Sequence, residues 1–317
     1  MADSQYILEV NNLCQHFSSG RGKKKLTVKA VDDVTFGVRP AETFGLVGES
    51  GCGKTTTGRT IIRLYDPTGG EVLFNGRDIA GKMNSDLRKY LTDNIAMIFQ
   101  DPIESLNPKM TIEEIIGEGL TVRGMKDKAK IRKLVVEMLR KVGLVEEHAT
   151  RYPHEFSGGQ RQRIGIARAI IVKPKLIIAD EPVSALDVSV QAQVINLMND
   201  LKEEMGLTIL FIAHNLSVVK YFSDRIGVMY FGHLVEVANG EDLYKNPLHP
   251  YTRALLSAIP EPNPITERQR VRVDYVPDRD HDYSNEKPSM VEVEPEHFVY
   301  CSPSELAKYR EQIAANA

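Results

Sequence analysis

Eight consecutive residues, Gly48, Glu49, Ser50, Gly51, Cys52, Gly53, Lys54 and Thr55, carry the spacing G-x-x-x-x-G-K-[ST]. The chemistry this spacing supports is phosphate binding. Glycines let a loop wrap with its N–H groups turned inward, and a helix starting at the loop's end adds about half a positive charge. Lys54 is placed to reach the outer phosphates of a nucleotide, and the Thr55 hydroxyl to ligate Mg²⁺. Glu49, Ser50, Gly51, Cys52 and Thr56 complete the candidate nucleotide-contacting set, with no chemical role for the Cys52 thiol. With glycine at about 7% of residues, a chain of this length matches the pattern by chance roughly once in a hundred times.

A second cluster ends the apolar run Leu176-Ile-Ile-Ala with Asp180 and Glu181. A buried strand that delivers two carboxylates at its C-terminal end suits a ligand site of an open α/β sheet. Asp180 is expected to hold Mg²⁺ through water. Glu181 is placed to orient or deprotonate an attacking water, a role worth about 10²–10⁴-fold in rate. A third cluster, Ser157-Gly158-Gly159-Gln160, opens a helical pattern and makes another anion-binding helix start. Its plainer reading is a serine that merely caps a helix.

The elements around these clusters follow from periodicity. Residues 8–10, 31–38, 43–47, 71–74, 95–99, 176–179, 208–213 and 226–230 read as strands, and a helix runs from Lys54 to about Tyr65. Helical spacing of Ile112, Ile115, Ile116, Leu134, Val135, Met138, Leu139 and Val142 marks 111–143 as a helical insertion. A further helix is expected after Ser157. Near-continuously apolar strands alternating with helices imply an α/β fold with a mostly parallel core sheet covered on both faces. Beyond Pro260, seven prolines from Pro260 to Pro303 punctuate a polar tail that is helix-like only over 305–313. It reads as an accessory extension, dispensable for hydrolysis because no complete catalytic set lies beyond His214.

Composition narrows the class. The chain has 317 residues, 42% hydrophobic and 26% charged, which is ordinary for a globular protein. A net charge of −3 gives no field to gather nucleic acid. The basic run Arg21, Lys23, Lys24, Lys25 reads as a solvated loop. Cys14, Cys52 and Cys301 are too far apart for a zinc or disulfide framework. Residues 1–10 show no secretory signal, and no apolar run approaches the roughly 20 residues needed to span a bilayer. Any membrane role is therefore expected to be peripheral.

Taken in order, these motifs resemble the ATP-binding subunits of ABC transporters over roughly residues 6–260, with about 101–170 as the inserted helical subdomain and an antiparallel N-terminal β subdomain. The resemblance implies ATP and Mg²⁺ as ligands. It implies that Phe17 stacks on adenine, although Phe17 alone could be ordinary core. Gln100 matches the glutamine that senses Mg²⁺ and water, and His214 the switch histidine, which alone would read as a core residue. Ser157, Gly158, Gly159, Gln160 and Asp187 are implied to serve ATP held by a second subunit.

Stretches such as Arg151-Tyr-Pro-His-Glu-Phe156 and His249-Pro-Tyr-Thr-Arg-Ala-Leu-Leu-Ser-Ala258 resemble the oligopeptide-importer branch, and the 261–317 tail, through Lys287-Pro-Ser-Met-Val291 and Glu296-His-Phe-Val299, looks like that of ATPase subunits of Gram-positive oligopeptide importers. The implied partners are a paralogous ATPase, two transmembrane permeases and, through the complex, an extracellular peptide-binding protein, at the cytoplasmic face of the cell membrane. Some relatives carry a four-cysteine iron–sulfur cluster in this tail. Here the tail holds Cys301 alone, so no cluster is expected. A sibling importer for dipeptides, nickel or other solutes is the alternative. A nucleic-acid-associated ABC ATPase is disfavoured by the single cassette and the lack of basic excess.

Overall fold

The computed structural model describes residues 5–20, 26–260, 271–281 and 283–316. The basic run at 21–25, residues 1–4, Pro262 and Pro264 lie outside the described residues. In chain order the strands are β1 (Leu8–Ser19), β2 (Leu26–Val38), β3 (Thr43–Val47), β4 (Gly69–Phe74), β5 (Arg77–Asp78), β6 (Ile95–Ile98), β7 (Leu176–Asp180), β8 (Thr208–Ala213), β9 (Arg225–Tyr230), β10 (His233–Asn239), β11 (Ser289–Glu294) and β12 (His297–Cys301). The helices that matter below are α1 (Lys54–Ile61), α2 (Ser85–Asn94), α3 (Pro102–Ser105), α4 (Ile112–Val122), α5 (Lys128–Lys141), α6 (Gly158–Ile170), α7 (Val188–Met205), α8 (Leu216–Phe222), α9 (Gly240–Lys245) and α10 (Pro250–Ser257). The contacts divide the chain into two units.

One unit comprises Leu8–Gly37, Thr43–Ala80 and the chain from Ala213 on. Its N-terminal sheet runs β2-β1-β4-β5, with β1 and β4 antiparallel and Leu8 opposite Phe74. Leu8 and Val10 are buried by alternation along β1, and a register shift between Asn11 and Cys14, with Asn12 at φ 49°, carries the buried positions on to Leu13. β1 and β2 are longer than the apolar runs that announced them, because their outer halves alternate with polar residues. In the same unit β3 pairs parallel with β9, β9 antiparallel with β10, and β10 antiparallel with β12, which carries β11 on its other edge. The tail therefore contributes two strands, which its prolines and polar composition hid. Helix α1 stops at Ile61, short of the expected Tyr65.

The other unit includes Val38–Glu42 and Gly81–Ile212. Its strands β6, β7 and β8 are parallel, and every residue of β7 and β8 is buried. The helical block packs α4 against α5 and α6 through Ile112, Ile115, Ile116, Val135 and Leu139, the residues whose spacing announced it. Reciprocal side-chain caps start two of these helices, Thr111 with Glu114 on α4 and Ser157 with Gln160 on α6.

Candidate nucleotide site

The phosphate loop grows from β3, whose five residues are all buried and end at Val47. Gly48 then turns at φ 149°, where an added Cβ would lie 2.2 Å from the Met229 carbonyl oxygen. Gly53 closes the loop at φ 111°, where a Cβ would lie 2.2 Å from the Ala30 oxygen. Only glycine fits either position. Gly53 is also the N-cap of α1. It provides no side-chain cap, and no acid occupies the first turn, so the helix start remains suited to an anion.

Lys54 is only 3% exposed. Its ammonium donates to the carbonyl oxygens of Gly48 and Glu49, each at 2.8 Å. A buried cation resting on two loop carbonyls, at an uncapped helix start, fits a polyphosphate. Cys52 is buried within the loop, and burial raises its thiol pKa, which agrees with a packing role. Ser50 and Gly51 form the loop's exposed crest.

Phe17 is 39% exposed on β1 and meets Tyr65 edge-on at 5.3 Å between centroids. It is therefore a surface aromatic and not a core residue. His214 is exposed at the turn between β8 and α8, just before Asn215 caps that helix.

In the other unit, Asp180 ends β7 with no exposed surface. Glu181 follows at φ 44°, a left-handed conformation that costs a non-glycine residue about 1–3 kcal/mol. Its N–H donates to the Ile212 oxygen at 2.9 Å, which fixes the turn. Its carboxylate accepts from the Gln100 amide at 3.1 Å. The sequence-expected Glu181 and Gln100 are thus brought together across 81 residues.

Ser157 and Gln160 satisfy each other's backbone N–H groups at 3.0 and 3.3 Å, and Ser157 and Gly158 are exposed. Gly159 allows the first turn of α7 to approach, since a Cβ there would sit 2.5 Å from Val190 Cγ1. Asp187 is exposed at the N-cap of α7.

Three residues escaped the sequence reading. Arg168 on α6 donates to the Ser105 oxygen at 2.6 Å and lies over the Phe99 ring, tying α6 to the segment beside Gln100. Burial lowers its pKa from the ordinary arginine value. Tyr251 and Glu236 belong to the unit of the phosphate loop. A carboxylate inside the apolar strand Leu234-Val-Glu-Val-Ala238 was the available signal for Glu236, since an ionised group is buried only with partners.

The fold and motifs define an ATP-binding cassette. Residues 31–184 match the ABC transporter family model, and residues 235–283 match that of the oligopeptide/dipeptide transporter C-terminal region. The chain is 57% identical over 307 residues to the oligopeptide transport ATP-binding protein OppF of Bacillus subtilis, covering 96% of this chain and 99% of that one. It is 52% identical over 313 residues to the dipeptide transport ATP-binding protein DppF of Lactococcus lactis, covering 98% of each. A solved dimer of the cassette MJ0796, bound to ADP and Pi, superposes with a TM-score of 0.66 at 29% identity, covering 73% of this chain and 98% of that one.

The chain belongs to the ABC transporter family. Within that family it stands in the branch of oligopeptide and dipeptide transport ATP-binding proteins. Among the described residues no helix is long and apolar enough to cross a membrane.

Proposed function

We propose that this chain binds and hydrolyses ATP to drive a bacterial oligopeptide importer. The observation that carries the reading is Lys54, a buried ammonium resting on loop carbonyls at an uncapped helix start. In this reading Lys54 transfers those hydrogen bonds to the outer phosphates, and the N–H groups from Ser50 to Thr56 surround them. Mg²⁺, where bound, supplies charge neutralisation. The Thr55 hydroxyl, the Asp180 carboxylate and Gln100 are the groups suited to hold it, since all are oxygen donors. Phe17 stacks on the base. Glu181 takes the proton of the attacking water while Gln100 steadies its carboxylate, and His214 contacts the terminal phosphate.

Ser157, Gly158, Gly159, Gln160 and Asp187 serve the nucleotide of a second ATPase subunit, which makes the working unit a dimer, here a heterodimer with a paralogue. Two permease subunits place the pair at the cytoplasmic face of the membrane, with an extracellular binding protein delivering peptide. The cassette spans residues 6–260, with 101–170 as its helical insertion. Residues 261–317 form an accessory extension, a reading supported by β12 adding to the edge of β10 and β11 adding to β12. Import of dipeptides is the second reading, favoured by the 52% identity to the dipeptide transport relative.

The test is uptake of a labelled tetrapeptide by cells whose only copy of this chain carries Lys54→Ala. Uptake should be abolished. Uptake at the wild-type rate would refute the chain's role as the energising subunit.

A further inference from the structure

The phosphate loop is supported from behind by a residue outside every motif assigned to it. The Tyr251 hydroxyl accepts a hydrogen bond from the Glu49 N–H at 3.1 Å. Glu49 is the second residue of the loop, just after the Gly48 turn. Its N–H is thereby committed to Tyr251, and its oxygen accepts the Cys52 N–H at 3.3 Å, so both polar groups of the Glu49 backbone are held.

Tyr251 is 2% exposed and has little freedom. Its ring packs on Tyr230 at 4.4 Å and on Tyr275 of the extension at 5.5 Å. It lies in the first turn of α10, whose start is held by one carboxylate. Glu236 on β10, with no exposed surface, accepts from the Leu248 N–H at 2.8 Å and the His249 N–H at 3.0 Å. The same carboxylate accepts from His297 Nε2 on β12 at 2.8 Å. His249 in turn accepts the Tyr251 N–H at 3.1 Å through Nδ1.

The extension also covers this support with apolar surface. Leu248 shares a buried cluster with Val299, Cys301 and Tyr309 of the tail. An unbroken path therefore runs from His297 of the extension through Glu236 and the start of α10 to the Tyr251 hydroxyl and the loop.

We propose that Tyr251 is a positioning residue for the phosphate loop, held in place by the C-terminal extension. The proposal rests on the reading of that loop as the ATP site. It also replaces the expectation of a dispensable tail, since the residues that fix Tyr251 include some beyond Pro260. Tyr251 touches no reacting atom in this account. It fixes the direction of one loop N–H and so the shape of the cradle before ATP arrives. Without the hydroxyl, the Glu49 N–H loses its partner and competes for geometries that misalign its neighbours.

Tyr251→Phe removes only the hydroxyl and keeps the packed ring. In the assembled transporter it should raise the KM for ATP about tenfold while kcat changes less than about twofold, because ground-state organisation is lost and the chemistry is not. The melting temperature should stay within about 2 °C, and amide exchange at Glu49 should accelerate about tenfold without change in the β3 core. His297→Ala should shift KM in the same direction, which reports on the extension's share. An unchanged KM and unchanged Glu49 exchange would overturn the proposal, as would a fall in kcat alone. Lys54→Ala, run in parallel, separates the two claims. If it leaves ATP binding intact, the loop reading itself fails, whatever Tyr251→Phe does.

Discussion

Two helices of this chain begin at motifs suited to anions, and they are built in opposite ways. Helix α1 starts at Gly53 with no side-chain cap, and Lys54 is buried against the loop that precedes it. Helix α6 starts at exposed Ser157, whose side chain and Gln160 satisfy each other's N–H groups, and Arg161 is turned back onto the Pro153 oxygen at 2.8 Å. The first start holds its own cation inside the fold. The second presents a capped surface with its nearest guanidinium engaged elsewhere. A site completed within one chain buries its charge against its own backbone, whereas one completed by an outside ligand must stay accessible and self-satisfied until that ligand arrives.

The sharpest way to test this contrast is to separate binding from chemistry. Glu181→Gln keeps the side-chain volume and its place beside Gln100 but removes the basic carboxylate. Steady-state hydrolysis should fall about 10²–10⁴-fold while equilibrium ATP binding is unchanged. A drop under about tenfold would mean that another residue activates the water. Lys54→Ala strikes the self-contained helix start directly. If the buried ammonium serves the phosphates as proposed, deleting it should weaken ATP binding by about a hundredfold or more, measured by titration with a fluorescent analogue. Retained affinity would mean that this loop is not the nucleotide site.

A smaller effect concerns the support under α1's loop. His249 is buried, and burial, with His281 and Arg253 nearby, lowers its pKa from 6.5 to about 3. The folded protein therefore keeps it neutral where the unfolded chain takes up a proton. The stability is fully present above pH 6.5 and is lost as pH falls toward 3. Melting temperature should drop between pH 6.5 and 5 in the wild type and drop less in His249→Gln. Parallel pH profiles for the two would contradict this assignment.

Much of the contrast was legible in the sequence because local spacing encodes it. Gly48, Gly53 and Lys54 are fixed by what one loop needs, and Ser157 with Gln160 by what one helix cap needs. The parallel strands β7 and β8 announced themselves as unbroken apolar runs. The support from Tyr251 was not legible, since a hydrogen bond across 202 residues leaves no spacing to read. The tail strands were missed for a related reason. β11 interrupts its apolar residues with Glu292 and Glu294, and β12 offers only the short run Phe298–Cys301 between Glu296 and Pro303, so neither stands out in a proline-punctuated tail. Glu236 was the one readable clue, a carboxylate that needed donors from two distant segments.

The central claim is that α1's loop holds this chain's own ATP while α6's start serves another subunit's. The direct measurement photolabels each ATPase subunit of the assembled transporter with an azido-ATP analogue, with Ser157→Arg in this chain only. The account predicts unchanged labelling of this chain, loss of labelling at the partner subunit, and a fall in hydrolysis by the mixed pair. Lost labelling of this chain with the partner's intact would contradict it.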